Sequence, residues 1–400
     1  MIEREHYFKK ITPFVNKPVI KIITGLRRCG KSTFLKMFID RLLKESGKKK
    51  NIVYISMELM EFEFITDYKV LYDHIKKSIS IGGENYIFID EVQEINGWEK
   101  AVNSLLAENA GDIYLTGSNS RLLSSEFATL LTGRYVEIPM FPLSFKEFLL
   151  FRESKNKKNI EKEFELFLKF GGLPGIHYLE LVDEVVFQYI KSIYSTILLK
   201  DIVSRHSIRD VFLLEKIAAF IFDNCGSITS SKKIADYLKS QRLKTGVDTV
   251  QNYIGYLNDA HLFSKSGRFD LKGKRYLELF EKYYSGDQGI RHSVLGYKKN
   301  DIAGILENVV YLELLRRGYT VSTGKYDDLE VDFVAEKNSV IKYIQVTYLL
   351  SSKETEDREF RPLEKIQDNY PKMVLSMDTV WGDNRNGIER KNIIDFLLEN

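Results

Sequence analysis

The chain has 400 residues, 44% hydrophobic and 29% charged, with a net charge of +3 at pH 7. That length accommodates two or three domains, and the composition excludes global disorder. A balance so near neutral excludes a general polyanion binder, so any nucleic-acid surface must be local.

Two cysteines, Cys29 and Cys225, provide no disulfide framework. The first residues, Met1-Ile2-Glu3-Arg4-Glu5-His6, are charged and lack the apolar core of a signal peptide. No apolar run approaches membrane-spanning length. The expectation is a soluble, cytoplasmic protein with no membrane partner.

In chain order, the first element is Val19–Thr24, a β-branched apolar run that reads as a buried strand. Gly25-Leu26-Arg27-Arg28-Cys29-Gly30-Lys31-Ser32 follows and fits G-x-x-x-x-G-K-[ST], the phosphate-binding loop of nucleoside triphosphatases. Phe34–Leu43 then has apolar residues at helical spacing. A polyphosphate needs many donors close to bare backbone, so glycine stands where a Cβ would obstruct. The helix N-terminus adds unpaired N–H groups and partial positive charge. Lys31 is placed to reach the β- and γ-phosphates of ATP, and Ser32 to hold Mg²⁺ through its hydroxyl.

Asn51–Ser56 reads as a second strand and Asn85–Glu91 as a third. Asp90 closes that strand, where ligands gather in open α/β sheets, and is a candidate Mg²⁺ ligand. Glu91 follows directly, placed to polarise the attacking water. Asp112–Asn119 is the next strand with its polar end. Asn119 is the first candidate to sense the γ-phosphate, and Ser118 the second. Leu131–Ile138 contributes a turn and a last strand. Strands alternating with helices predict a parallel sheet. Arg134, after Gly133, reads either as a charge-stabilising arginine facing a neighbouring subunit's nucleotide or as a structural arginine. Arg121 is the weaker candidate for the same role.

These motifs, with Ile89-Asp90-Glu91-Val92-Gln93, Pro142-Leu143-Ser144-Phe145 and Gly171-Gly172-Leu173-Pro174, resemble the AAA+ branch of P-loop ATPases. Within it, the chain resembles bacterial and archaeal ATPases with a C-terminal domain of the DUF4143 type. The resemblance implies a nucleotide-binding set of Gly25, Leu26, Arg27, Arg28, Cys29, Gly30, Lys31, Ser32 and Thr33. It implies Ser32 and Asp90 as metal ligands, and Glu91, Lys31, Asn119 and Arg134 as catalytic residues. It also implies that the helical stretch 142–205, after a core at 1–141, is a lid over the nucleotide.

Residues 206–280 read as three helices, at Val211–Ile221, Ser230–Leu238 and Thr249–Ala260, then a hairpin from Leu262–Lys265 and Lys274–Leu279. This looks like a winged helix-turn-helix. Between Lys232 and Arg275 stand ten basic and four acidic residues, a net +6 against +3 for the whole chain. Lys265, Arg268, Lys272 and Lys274 suit phosphate contacts on DNA. Thr249, Gln251 and Asn252 open the presumed recognition helix. Winged helices also dock proteins, so a protein partner stays open.

Residues 281–400 read as a helix at Ile305–Leu315, strands at Tyr319–Ser322, Leu329–Ala335, Val340–Tyr348 and Lys372–Ser376, and a closing helix near Asn392–Leu398. The order resembles the PD-(D/E)xK nuclease fold. Asp332 matches its aspartate and Glu307 its helix acid. Gln345-Val346-Thr347, however, stands where Glu-x-Lys belongs. A neutral amide and a hydroxyl replace a metal ligand and a cation, which predicts a non-cleaving relic.

The expected architecture is therefore α/β: an AAA+ parallel sheet with a helical lid, a winged helix-turn-helix, then a nuclease-like α/β domain. The leading reading is a Mg²⁺-dependent ATPase acting on or near DNA, compatible with a homo-oligomer. A STAND-like nucleotide switch controlling a protein partner is the second, and an ATP-regulated nuclease the third.

Overall fold

The computed structural model describes residues 2–44, 50–119, 131, 133–153, 159–298, 301–379 and 384–399. Arg121 lies outside them. The chain divides into two compact units. One comprises Met1–Met140 with Asp259–His261, and the other Phe141–Asn258 with Leu262–Asn400.

The first unit is a parallel sheet with helices on its faces. Its strands are β1 (Ile20–Thr24), β2 (Lys50–Ser56), β3 (Glu84–Asp90), β4 (Asp112–Gly117) and β5 (Tyr135–Pro139), in the order β2-β3-β4-β1-β5. All neighbouring pairs are parallel. β1 and β4 are buried along their whole length, as expected of strands covered on both faces. Helices α1 (Glu5–Ile11) and α2 (Lys31–Lys44) bring Phe8, Phe34 and Phe38 together, and Phe38 packs on Tyr114, their ring centroids 5.2 Å apart. Helices α3 (Tyr68–Ser78) and α4 (Trp98–Ala107) supply Leu71, Ile75, Val102 and Leu105 to the core shared with Ile87, Ile89, Ile113 and Leu115. β4 lies between β1 and β3, so its end stands between the phosphate loop and Asp90.

The second unit opens with helices α5 (Phe145–Glu153), α6 (Ile160–Phe170) and α7 (Asp183–Thr196). Within the helical stretch expected over 142–205, α7 runs on into a π-helical stretch, Ile197–Ser204, in which Ile197, Leu198, Asp201 and Ile202 are buried. Three more helices follow: α8 (Val211–Asp223), α9 (Ser231–Ser240) and α10 (Val247–Asp259). Asp210 and Ser230 cap α8 and α9 through their side chains. Then come the antiparallel strands β6 (Phe263–Asp270) and β7 (Arg275–Ser285), α11 (Gln288–Leu295) and α12 (Ile302–Arg316).

The rest is β8 (Thr320–Tyr326), β9 (Leu329–Lys337), β10 (Val340–Val346), α13 (Lys353–Lys365), β11 (Lys372–Ser376), β12 (Glu389–Asn392) and α14 (Ile393–Leu398). Its seven strands form one mixed sheet, β12-β11-β10-β9-β8-β6-β7. Residue 280, the expected boundary between hairpin and tail, falls inside β7. β6 pairs in parallel with β8, so hairpin and tail share a sheet.

Gly171-Gly172 is fixed by this unit's own packing. Gly171 has φ +75°, and a Cβ there would fall 2.3 Å from Asp287 Oδ1. The Gly172 N–H donates to Asp287 Oδ2 at 2.7 Å, while Oδ1 accepts from Ile290 at the start of α11. Burial pushes the Asp287 carboxyl up to about 6, against the N–H donors of Gly172, Ile290 and Gly289. Among the described residues, no helix is long and apolar enough to cross a membrane.

Candidate nucleotide site

The phosphate loop leaves β1 at Thr24 and enters α2 at Lys31. Gly25 has φ +147°, and a Cβ on it would fall 2.0 Å from the Met140 carbonyl oxygen. The obstruction at this glycine is therefore the chain's own backbone just beyond β5, a different cause from the phosphate approach expected. Arg28 takes a left-handed φ of 65°. Arg4, ahead of α1, donates to the Cys29 carbonyl at 3.0 Å and ties the loop from outside. Cys29 is buried, which raises its thiol pKa against the lowering charges of Lys31 and Arg4.

Lys31 is 4% exposed and donates to the loop's own carbonyls, Gly25 O at 3.0 Å and Leu26 O at 3.2 Å. Its Nζ also lies 3.8 Å from Glu91 Oε1. The Ser32 hydroxyl donates to Asp90 Oδ1 at 3.0 Å. Asp90 is the centre of a ring of hydroxyls: Thr116 Oγ1 donates to Oδ1, and Ser56 and Tyr54 donate to Oδ2 at 3.3 and 3.4 Å. Burial first, and Asp90's charge second, push the Tyr54 phenol up to about 12.

Glu91 is buried with φ 56° and ψ 51°, left-handed for a non-glycine residue. Strained backbone of this kind persists where the surroundings over-determine it. The Glu91 N–H donates to Thr116 Oγ1 at 2.9 Å, and Gln93 Nε2 donates to its Oε2. Burial alone would raise the Glu91 carboxyl. Lys31, the Gln93 amide, Arg27 and Ser118 together outweigh burial and hold it below the ordinary range.

Ser118 and Asn119 are buried at the end of β4. The structure thus brings Lys31, Ser32, Asp90, Glu91 and the end of β4 to one place, the carboxyl ends of β1, β3 and β4. Arg134 is not brought there. It immediately precedes β5, and its carbonyl accepts from Ile20 N–H at 2.9 Å, at the amino ends of β1 and β5. It is therefore at the far end of the sheet from this chain's phosphate loop. Thr116, Gln93 and His261 were given no role from the sequence. His261 belongs to the same compact unit, with its Nε2 enclosed and without a partner. Burial, then the Lys31 charge, press its ring down to about 4.

A second polar cluster lies in the other unit. Buried Lys282 Nζ meets Glu330 Oε1 at 2.7 Å, Glu307 Oε1 at 2.8 Å and Asp332 Oδ1 at 3.6 Å. Tyr284 donates to Glu307 at 2.7 Å, and Val346 N–H to Asp332 Oδ2 at 2.9 Å. Gln345 turns its amide to Glu359 at 3.1 Å. Glu307, Glu330 and Asp332 do converge, but the cation among them comes from β7. On β10, Lys342 Nζ lies apart from them, 5.9 Å from the Tyr319 ring centroid.

Residues 17–149 match the family model described as AAA domain, and residues 161–301 the one described as Domain of unknown function (DUF8612). The DUF4143 name is finer than these matches support. An "Uncharacterized protein" of Haemophilus influenzae is 37% identical over 404 residues, covering 100% of this chain and 99% of that one. "Uncharacterized protein MJ1544" of Methanocaldococcus jannaschii is 34% identical over 86% of this chain and 78% of its own length. Among solved structures, the Walker-type ATPase paby2304 of Pyrococcus abyssi superposes with a TM-score of 0.52 at 18% identity, covering 73% of this chain and 95% of that one, a likeness of fold. The chain belongs to the same family as the Haemophilus and Methanocaldococcus proteins, and within it residues 17–149 are an AAA domain.

Proposed function

We propose that the protein is a Mg²⁺-dependent AAA+ ATPase whose hydrolysis is coupled to DNA through a winged helix. The observation that carries the ATPase reading is the 3.0 Å approach of the Ser32 hydroxyl to Asp90, beside Glu91 and Lys31. One hydroxyl and one carboxylate are hard oxygen donors and suit Mg²⁺. Ser32 and Asp90 would hold that ion, which screens polyphosphate charge when bound. Lys31 turns its ammonium from the Gly25 and Leu26 carbonyls to the phosphates. Glu91 accepts a proton from water as the water oxygen bonds to the γ-phosphorus. The bond from phosphorus to the β–γ bridging oxygen breaks, and ADP leaves.

Asn119 is assigned to sensing the γ-phosphate. Arg134 is assigned to trans action only, in a homo-oligomer, because its place in the sheet removes it from its own loop. The division into core 1–141, lid 142–205, winged helix 206–280 and tail 281–400 is part of the same proposal, with the 280 boundary running through β7.

Exposed Gln251 and Asn252 on α10 and exposed Lys274 support the DNA surface. Two hairpin lysines weigh the other way: Lys265 pairs with Glu281, and Lys272 with Asp327 at 2.6 Å. DNA phosphates would have to displace those carboxylates. That observation favours the second reading, a STAND-like switch whose winged helix docks a protein.

The deciding experiment is ATP turnover with Mg²⁺, alone and with duplex or single-stranded DNA. DNA-stimulated turnover is the expected result. Slow turnover, with tight ADP retention and no DNA binding at low salt, selects the switch. Absence of ATP binding overturns both.

A further inference from the structure

Gln93 closes the Asp90-Glu91-Val92-Gln93 motif, and the mechanism above leaves it without a task. Its position follows from the backbone. Glu91 is left-handed, and the next residues form a tight turn, with Glu94 N–H on the Glu91 carbonyl at 3.1 Å and Ile95 N–H on that of Val92 at 3.1 Å. Val92, wholly buried, anchors the turn in the core. The Gln93 side chain is folded back onto the carboxylate two residues earlier.

The two oxygens of Glu91 are shared between different partners. Oε1 faces Lys31 at 3.8 Å, and Oε2 accepts from Gln93 Nε2. The same Nε2 lies 3.4 Å from Ser118 Oγ at the end of β4. A carboxylate accepts hydrogen bonds and donates none, so the amide must face it with its NH₂ end. Gln93 Oε1 is accordingly turned away, enclosed and without a partner. When Lys31 moves to a nucleotide's phosphates, Oε1 loses its cation while Oε2 keeps its donor.

We propose that Gln93 is the positioning residue of the hydrolytic step: it holds Glu91 by Oε2, and ties it to the end of β4, while Oε1 is released from Lys31 to the attacking water. The inference rests on the ATPase reading. It assigns Gln93 no contact with nucleotide, so its loss acts on turnover and leaves affinity in place.

The test compares the parent with Gln93→Met, which keeps length without a donor, and with Gln93→Asn, which keeps the amide on a shorter stem. Turnover, KM, affinity for a fluorescent ADP analogue and the unfolding midpoint are measured for each. Gln93→Met should lower kcat by about 10- to 100-fold while KM, ADP affinity and the unfolding midpoint stay at the parent's values. Gln93→Asn should recover part of the lost kcat. If Gln93→Met does not fold, a lower kcat at parental KM in Gln93→Asn supports the assignment, and a parental kcat overturns it. Unchanged kcat overturns it, as does a loss of kcat that comes with weaker ADP affinity or a lower midpoint, or that Gln93→Asn does not relieve, which marks a purely structural side chain. A parent that neither binds nor hydrolyses ATP overturns the ATPase reading as well, and is recognised by the parent alone.

Discussion

Thr116 Oγ1 accepts the backbone N–H of Glu91 at 2.9 Å. The same hydroxyl donates to Asp90, so one β4 side chain holds both the turn that aims the base and the carboxylate assigned to the metal. This follows from strand order: β4 lies between β1 and β3, and its end must face both neighbours. Thr116→Val preserves shape and removes both bonds. Hydrogen bonds to charged groups contribute about 1.5–3 kcal/mol each. We therefore expect kcat to fall by about 10- to 100-fold, with a smaller change in nucleotide affinity. Parental turnover in Thr116→Val would refute the bridging role.

The loop and its acids separate binding from chemistry. Lys31→Ala removes the cation assigned to the phosphates and should abolish ATP binding, read by equilibrium titration. Glu91→Gln keeps the cation and the metal-binding acid, so ATP should bind while hydrolysis slows by orders of magnitude. Parental turnover in Glu91→Gln would remove Glu91 from the catalytic set.

Asp287 makes a prediction about stability. Its carboxyl rises from 3.8 to about 6 on folding. Between those values the folded state holds a proton that the unfolded chain has released, so this group's contribution falls as pH rises. The full span is about 3 kcal/mol. Asp287→Asn has no such titration, and its unfolding free energy, followed by denaturant from pH 4 to 7, should lack that decline. Identical slopes in the two proteins would refute the assignment.

Lys282 stands among Glu307, Glu330 and Asp332, and burial pushes the Asp332 carboxyl up. Lys282→Met leaves those carboxylates facing one another without their cation. Breaking a buried pair in this way costs about 3–5 kcal/mol. The loss is read as a lower denaturant midpoint for Lys282→Met than for the parent at neutral pH. With this ammonium among the acids, DNA incubated with Mg²⁺ or Mn²⁺ should remain uncut. Metal-dependent cutting that disappears in Asp332→Ala would reverse the non-cleaving reading of the tail.

The phosphate loop and the Asp90-Glu91 pair were legible because each is a contiguous run whose strand and helix context is local. β11 was legible end to end for the same reason, as a short apolar run between breaks. Gln93 and Ser118 were in view as letters, but their contact depends on a left-handed turn that no periodicity announces. Lys282 was not legible because the nuclease pattern places its cation two residues after Gln345, at Thr347, while the fold supplies one from β7. Gly171-Gly172 stood out as a motif. Its cause, Asp287, lies more than a hundred residues later, beyond any local pattern. α13 escaped because Lys353–Lys365 is mostly charged and contains Pro362.

The shared sheet also bears on how this molecule can be divided. β7 runs through residue 280, and β6 lies between it and β8. A protein cut there would carry half a strand on each fragment, and the tail would present the bare flank of β8 to solvent. Unpaired strand flanks of that kind recruit other chains and aggregate. Hairpin and tail are therefore expected to be inherited, expressed and degraded as one piece, whatever separate tasks their surfaces perform.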